Sequence, residues 1–338
     1  MEKIRYGLLG TGGISVQHLE AAKLLGDCME IVALCDVDEK SLAEKGERYG
    51  IKRLYNRIEE FLQDPEVDVV TILTPPHIRK QVVMPCLQAG KHVFVEKPFS
   101  LTLEEAQEMV EAASASGCWI GVNQNYRWRP EVQRMRSIIE NGLIGEVLMM
   151  NMNQSFWRDE QQGWRNTTEY LAMSVMGVHW LDRFRWLTMD EPRSLFSSFR
   201  TSGLLSSKGE DITSVVVNFN RGAIATLTHS WVSRAIRGEA DNTEIIGTRG
   251  TIVQKAERVR LYLQNTDEIK EWLTYNPSEE RSKVFVESFA DSLRTFTNDI
   301  QKNQESCISG ADNLKTMALV DGSYRSSVTQ QPVHFSFG

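Results

Sequence analysis

The first third of the chain alternates short apolar segments with segments of helical character. The apolar segments are IRYGLLG, MEIVALCD, VDVVTILTP, KHVFVEKP and CWIGVN, which start at residues 4, 29, 67, 91 and 118. Helices are predicted between them over 16–25, 41–50, 79–89 and 102–117. The last has Thr102 and Glu105 as a capping box and ends at Gly117. Strands without apolar–polar alternation, separated by helices, indicate a parallel sheet covered on both faces.

After about residue 123 the pattern changes to period two. EVLMMNMNQSFW, TSVVVNFN and AIATLTHSWV alternate apolar and polar residues, as strands of a half-solvated, mostly antiparallel sheet do. Arg221-Gly222 lies between two of them and predicts a hairpin turn. Near the end, residues at helical spacing form a predicted core-facing stripe: Phe285, Phe289, Leu293, Phe296 and Ile300. The prediction is a doubly wound α/β Rossmann domain over 1–122, followed by an α+β domain over 123–338.

Composition narrows the classes of partner and compartment. The 338 residues suffice for two domains, and the net charge of −7 without a basic run argues against nucleic acid. Five scattered cysteines without a C-x-x-C pair favour reduced thiols in the cytoplasm. The chain opens on a strand and has no stretch long enough to cross a membrane. No metal site is expected, because these histidines lack ligand spacing: His18, His92, His229 and His334.

A glycine turn follows the first predicted strand and opens the first helix. Its residues are Gly10, Thr11, Gly12, Gly13 and Ile14, with Ser15 at the third position of the dinucleotide fingerprint. Gly10 permits the tight turn, and Gly12 lets the backbone approach a pyrophosphate at the helix N-terminus. The alternative is a purely structural turn.

The end of the second strand carries the carboxylate that such a turn requires. Asp36 lies where a carboxylate accepts hydrogen bonds from the adenosine ribose hydroxyls. It would repel a 2′-phosphate, and Val37 beside it adds no positive charge. NAD is therefore favoured over NADP, with a plain surface aspartate as the alternative.

The segment VEKPF places Glu96 and Lys97 at the carboxyl end of the fifth strand. Ligands of open α/β sheets bind at this edge, so Lys97 is within reach of a bound nicotinamide. Partial burial beside a cationic ring would lower its pKa toward a useful range. As an isolated dipeptide, Glu-Lys is more often a solvated ion pair.

Taken together, these segments resemble the Gfo/Idh/MocA family of sugar and cyclitol dehydrogenases. The similarity rests on GLLGTGGIS, TILTPPH, AGKHVFVEKPFSLT, NQNYRWRP, GLIGEV and GVHWLD. It implies a second domain with a large, open, mostly antiparallel sheet that often forms a homo-oligomer interface, as in dimers or tetramers. It also implies a cis peptide bond between Lys97 and Pro98.

The resemblance implies roles for particular residues. Lys97 is expected to give or take the proton at the substrate oxygen, with His179 assisting. The expected cofactor-binding set adds these residues to the glycine turn and Asp36: Thr74, Pro75, His77, Glu96, Lys97 and Asn125.

The segment LAMSVMGVHWLD departs from the family pattern. Many members carry an aspartate four residues before the histidine, where this chain has Val175. His179 lies among apolar residues, so a satisfied core histidine is the competing interpretation. Asp182 lies on the same helical face and either orients the imidazole or forms a salt bridge with Arg183 or Arg185.

Aromatic and arginine residues before this helix suit the C–H faces and hydroxyls of a sugar. The candidates for substrate contact are Tyr126, Arg127, Trp157, Trp164 and Arg165, together with Lys97, His179 and Asp182. The alternative is that the rings pack and the arginines are solvated.

Three functions compete. The leading hypothesis is an NAD-dependent dehydrogenase that acts on a hydroxyl or carbonyl of a sugar, cyclitol or related polyol. A second is NAD-assisted elimination or glycoside cleavage on the same scaffold. A third is a non-catalytic dinucleotide-binding regulator, which the missing aspartate favours and Lys97 and His179 oppose.

Overall fold

The computed structural model describes residues 3–235 and 240–337. Their contacts form two compact units, Met1–Trp128 with Phe285–Leu314, and Arg129–Val284 with Lys315–Gly338. The sequence analysis divided the chain once, between 122 and 123. The structure instead groups 285–314 with the first unit, because the apolar stripe of that segment packs into its core.

The first unit contains a six-stranded parallel sheet with the order β3-β2-β1-β4-β5-β6. Its strands are β1 Ile4–Leu9, β2 Met29–Cys35, β3 Arg53–Tyr55, β4 Val69–Ile72, β5 His92–Val95 and β6 Ile120–Val122. Its helices are α1 Ser15–Lys23, α2 Glu39–Tyr49, α3 Ile58–Leu62, α4 Arg79–Gln88 and α5 Leu103–Ser116. Short 3₁₀ turns span Pro76–Ile78 and Asn125–Trp128. The predicted Rossmann-type parallel sheet is confirmed, while β3 and α3 were not predicted.

The predicted apolar stripe is confirmed on helix α9, Arg281–Gln301. Phe289, Leu293 and Phe296 are buried in one cluster with core residues that include Tyr6 and Phe94. Full burial of one aliphatic or aromatic side chain of this size stabilises the fold by about 1.5–3 kcal/mol.

The second unit contains a nine-stranded sheet with the order β14-β13-β12-β11-β7-β10-β9-β8-β15. Its strands are β7 Val147–Ser155, β8 Pro192–Arg200, β9 Ile212–Phe219, β10 Ile224–Ser230, β11 Asp241–Gly247, β12 Gly250–Lys255, β13 Arg258–Leu263, β14 Ile269–Leu273 and β15 Val333–His334. Neighbouring strands pair antiparallel except β7 and β10, which are parallel. The predicted large, mostly antiparallel sheet is therefore confirmed.

The hairpin between β9 and β10 is also confirmed. Phe219 donates its N–H to the carbonyl of Ala223 at 2.9 Å, and Gly222 has a φ of +96° that favours glycine. The period-two pattern follows from burial, since Val215 and Val217 are buried and Val216 between them is exposed.

One helix of the second unit carries His179. The helices of this unit are α6 Pro130–Glu140, the single turn α7 Trp164–Thr167 and α8 Val178–Thr188, which holds His179 and is preceded by a π-helical segment at Met173–Gly177. Helix α10, Gly310–Thr329, completes the chain's helices within the described residues. No helix in the described ranges has the length and apolarity needed to span a membrane.

Candidate active site

The glycine turn between β1 and α1 has the geometry of a phosphate cradle. Gly10 has a φ of +106°, and a Cβ there would lie 3.2 Å from the backbone just after β4. At Gly12 and Gly13 a Cβ would meet no atom within 4 Å, so space is open above the turn. Ile14 directly precedes α1, and the Ser15 hydroxyl donates to the Gly12 carbonyl at 2.7 Å. Ser15 thus fixes the turn from the position where the fingerprint has a small residue.

The Asp36 carboxylate lies directly after β2 and is tied to this turn. Its Oδ2 accepts hydrogen bonds from the Thr11 backbone N–H at 2.5 Å and from the Thr11 hydroxyl at 2.9 Å. Its Oδ1 accepts from the Asp38 N–H at 2.9 Å. Val37 is 89% exposed and offers no cation to a 2′-phosphate. The position and charge of Asp36 fit a ribose diol.

The loop after β4 carries Thr74, Pro75 and His77. Pro75 directly precedes the 3₁₀ turn, in which His77 is exposed. The Thr74 hydroxyl oxygen is buried and has no hydrogen-bond partner among the described residues. An orphaned polar atom here fits the edge of a bound cofactor, because a buried hydroxyl is normally paired.

A buried arginine that the sequence analysis missed joins this loop to the Lys97 segment. Arg79, the first residue of α4, donates to the carbonyls of Thr74, Glu96 and Pro98. Its side chain is fully buried, and burial lowers its pKa to about 10, against the opposing charge of Glu96. The Lys97–Pro98 bond is cis, as predicted. An arginine at the start of a predicted helix normally faces solvent, so the sequence offered no signal for this role.

The Glu96 side chain points into the protein interior. Its Oε1 lies 2.7 Å from His18 Nε2 and accepts a 2.7 Å hydrogen bond from Asn123 Nδ2. Burial raises the pKa of this carboxyl, but the hydrogen bond and charge of His18, with the charge of Lys97 and the Asn123 bond, lower it overall. From the sequence, His18 was expected not to bind a metal and had no other expected role, and Glu96 was expected beside the cofactor.

The segment after β6 is held by packing contacts. Asn125 donates to the Ser288 hydroxyl at 3.0 Å. Arg127 is buried, donates to the Cys307 carbonyl at 2.5 Å and pairs with Asp312 at 2.8 Å. Arg127 is therefore buried and paired, and not solvated as the alternative to substrate contact expected. Tyr126 beside it is half-buried.

In the second unit, His179 is the second residue of α8 and is 1% exposed. Its ring centroid lies 6.3 Å from that of Trp180. Asp182 accepts a 3.0 Å hydrogen bond from the Thr316 hydroxyl. Arg185 pairs with Glu191 at 2.9 Å, so this arginine has its own carboxylate.

A buried glutamate holds the segment before His179. Glu210 accepts the backbone N–H groups of Leu171 at 2.9 Å and Met173 at 2.8 Å, and the Tyr324 hydroxyl at 2.7 Å. Burial raises the pKa of Glu210, although all three bonds oppose this effect. Val175, where the family often has aspartate, is 2% exposed. Sequence reasoning missed Glu210, because it precedes β9 and lies far along the chain.

The arginines of the two Trp-Arg pairs meet at Glu160, a residue that nothing in the sequence led us to expect here. Arg158 donates to its carboxylate at 2.6 Å, and Arg165 lies 3.7 Å from the same oxygen. The Arg165 guanidinium also lies 5.1 Å from the Trp164 ring. Trp157 is 38% exposed under a different cation, Arg234, at 3.8 Å. Arg158, Glu160 and Arg165 thus form one charged cluster within the second unit.

His229 shows what a satisfied core histidine looks like in this protein. Its Nδ1 lies 2.5 Å from the Gln154 carbonyl, and its Nε2 accepts the Trp231 indole N–H at 3.0 Å. Burial lowers its pKa to about 4. The ring is neutral near pH 7, with both nitrogens used.

Comparison with known proteins identifies the family. Residues 4–124 match the model described as an oxidoreductase family with an NAD-binding Rossmann fold, and residues 132–253 match the Gfo/Idh/MocA C-terminal domain. The chain is 30% identical over 335 residues to D-apiose dehydrogenase of Paraburkholderia graminis, covering 97% of this chain and 88% of that protein. It belongs to the Gfo/Idh/MocA family. The expected resemblance is confirmed.

Other relatives cover nearly the whole chain. Myo-inositol 2-dehydrogenase of Thermotoga maritima is 27% identical over 94% of each chain. An oxidoreductase from Agrobacterium radiobacter, solved in complex with NAD⁺, L-tartaric acid and magnesium, is 25% identical. It superposes with a TM-score of 0.91 over 98% of both chains.

The residues of this Gfo/Idh/MocA oxidoreductase fit its NAD cofactor. The open turn at Gly12 would face the pyrophosphate, Asp36 the ribose, and the Thr74 loop the nicotinamide end. The expectation of an NAD-dependent oxidoreductase is confirmed by the family.

Proposed function

We propose that this oxidoreductase interconverts a hydroxyl and a carbonyl on a sugar, cyclitol or related polyol. The names of its relatives, D-apiose dehydrogenase and myo-inositol 2-dehydrogenase, support this substrate class. The observation that carries the proposal is the placement of Lys97. It follows β5, two strands from the glycine turn of β1, on a backbone held by the buried Arg79.

The residues divide the work as follows. NAD, when bound, accepts or supplies the hydride. Lys97 takes the proton from the substrate hydroxyl during oxidation and returns it during reduction. His179 is proposed to assist the proton transfer, and the candidates for the remaining substrate contacts are Tyr126, Trp157, Trp164 and Arg165.

The test is an absorbance screen for reduced nicotinamide over polyols, aldoses and keto-inositols. Lys97→Ala should still bind NAD and lose about a hundredfold to ten-thousandfold in kcat, the range that general acid–base catalysis contributes. Lys23→Ala is the matched control, because Lys23 is 57% exposed in its side chain. Turnover by Lys97→Ala at the wild-type rate would refute the role of Lys97.

Two other outcomes would favour one of the alternative functions. Tightly bound NAD with substrate turnover but no net absorbance change would replace net oxidation with NAD-assisted elimination. An absence of turnover over the whole panel, with NAD still bound, would favour the regulator.

The cofactor preference rests on Asp36 and Val37. We expect NAD to be preferred at least about tenfold over NADP, because a carboxylate beside a 2′-phosphate costs more than about 1.4 kcal/mol. Val37→Arg combined with Asp36→Ser should narrow or reverse the preference. A wild-type preference for NADP would refute this assignment.

We also propose a cytoplasmic homo-oligomer, dimer or tetramer, that assembles through the outer face of the nine-stranded sheet. Phe196 and Val216 pair across β8 and β9 and are 40% and 37% exposed, and Ile224 on β10 is 41% exposed. A contiguous exposed apolar patch on one sheet face is typical of an interface. Light scattering of Val216→Lys should show smaller particles than wild type. No disulfide joins the cysteines of the described residues, which fits a reducing compartment.

A further inference from the structure

A buried polar cluster lies directly behind the Lys97 segment, and its role rests on the proposed function of that lysine. We propose that His18 and Asn123 are positioning residues that hold the Glu96 carboxylate beside Lys97, and that this carboxylate tunes the proton affinity of the Lys97 amine. The cluster consists of His18, Glu96 and Asn123. It lies wholly within the first unit.

Three separate elements converge on one carboxylate oxygen. His18 comes from α1, Glu96 follows β5, and Asn123 follows β6. Both polar contacts to Glu96 Oε1 measure 2.7 Å. Since Glu96 is 6% exposed and the other two residues are 1% or less, this geometry is fixed by the interior and not by solvent.

Aromatic rings fix the imidazole of His18. Its centroid lies 5.1 Å from that of Phe289 and 6.1 Å from that of Phe94, both in edge-to-face arrangements. Packed in this way, the ring has one orientation from which Nε2 reaches Glu96. The histidine therefore restricts the carboxylate, whose backbone leads directly into Lys97.

The groups around Glu96 come from separate parts of the first unit. The groups that face it are His18 from α1, Asn123 after β6, Arg79 from α4, and Lys97. Lys97 is among the charges that lower the pKa of Glu96, after burial and the contribution of His18. The interaction is reciprocal, so the Glu96 charge favours the protonated form of Lys97.

The cluster is also costly as a purely structural element. His18 Nδ1 and Asn123 Oδ1 are both buried and have no hydrogen-bond partner within residues 3–235 and 240–337. Buried polar atoms without partners destabilise a fold, and apolar side chains of similar volume would pack without that cost. Their presence beside Lys97 fits a role in tuning the site.

The first test measures the lysine directly. Protein labelled at the lysine side chains is titrated by NMR, and the Lys97 signal is assigned by its absence in Lys97→Arg. We expect Glu96→Gln to lower the pKa of Lys97 by roughly one unit, because it removes a nearby negative charge. His18→Phe should lower it in the same direction but by less, since the Glu96 carboxylate is then no longer held in place and its charge acts less strongly on the amine. His18→Gln, which keeps a donor near the position of Nε2, should restore the wild-type value.

Kinetics supply the second measurement. The limb of the kcat pH profile that reports Lys97 should move with the NMR value in each variant. The matched control is His92→Phe, because His92 lies at the other end of β5 and accepts a hydrogen bond from the Trp119 N–H at 2.9 Å. It should move neither the lysine signal nor the limb.

The outcomes separate this inference from the proposed function. A Lys97 pKa within about two tenths of wild type in Glu96→Gln, or one that rises in His18→Phe, overturns the inference, whatever Lys97 does in catalysis. If the pKa moves as expected but Lys97→Ala turns over normally, the coupling stands and the catalytic role fails. If His18→Phe does not fold, the pKa of Lys97 in Glu96→Gln and in His18→Gln decides whether the inference stands.

Discussion

Replacement of Arg79 by methionine tests whether one buried guanidinium holds the two loops of the site together. Arg79 donates to the carbonyls of Thr74, Glu96 and Pro98, and methionine offers no donor. The Glu96 and Pro98 carbonyls are buried and the Thr74 carbonyl is half-buried. Without partners, the three acceptors cost about 2 kcal/mol each, or about 6 kcal/mol together. Against this, burial that lowers the pKa of Arg79 to about 10 is a cost in the wild type. At about 1.4 kcal/mol per pKa unit, methionine removes about 3 kcal/mol of that cost.

The expected net loss is about 3 kcal/mol in the free energy of unfolding. Urea denaturation followed by tryptophan fluorescence measures it. Because the Thr74 loop and the turn at Pro98 lose their common anchor, calorimetry should also show NAD binding weakened about tenfold or more. Arg57→Met is the matched control, since the Arg57 side chain is 65% exposed, and it should stay within about 0.5 kcal/mol of wild type. If Arg79→Met has a free energy of unfolding within about 1 kcal/mol of wild type and an unchanged NAD affinity, Arg79 does not hold the two loops together.

Three further predictions concern buried groups of the second unit. Burial raises the pKa of Glu210, so the folded state holds the carboxyl proton to higher pH than the unfolded chain does. The wild type should therefore lose stability relative to Glu210→Gln as the pH rises from 4.5 through the raised pKa. A stability difference that urea denaturation shows to be the same at every pH would contradict this. Burial lowers the pKa of His229 to about 4, so as the pH falls the unfolded chain takes up the proton before the folded state does. The free energy of unfolding of the wild type should fall by up to about 3 kcal/mol relative to His229→Phe as the pH falls from 6.5 to about 4. His334→Phe is the control, because His334 is exposed. Val175→Asp should destabilise the protein by about 3 kcal/mol in urea, because the side chain at 175 is 2% exposed. A Val175→Asp protein as stable as wild type would show that this position already offers a partner to a carboxylate.

The features that the sequence predicted are those that a local pattern encodes. The glycine turn, the strand ends at Asp36 and Lys97 and the hairpin at Gly222 each depend on a few consecutive residues. The stripe on α9 depends on one helical period. Such patterns follow from backbone sterics and from the burial of one face, so they are legible without knowledge of the tertiary structure.

The features that it missed are pairs that the fold brings together. His18 and Glu96 are 78 residues apart, and Glu210 and Tyr324 are 114 apart. A buried carboxylate in the sequence looks the same as an exposed one, because its burial depends on elements that pack against it from elsewhere. The placement of 285–314 in the first unit has the same origin, since helical periodicity marks an apolar stripe but not the sheet it covers.

The missing carboxylate at Val175 has a different meaning once Glu210 is considered. The π-helical segment Met173–Gly177 runs directly into α8, so where this segment starts determines where His179 stands. Single π-helical turns are rare and often occur at functional sites. Glu210 binds the backbone N–H groups of Leu171 and Met173 at that start, whereas an aspartate at 175 would lie within the segment itself. Glu210 therefore fixes the start of the π-helical segment, and through it the backbone on which His179 stands.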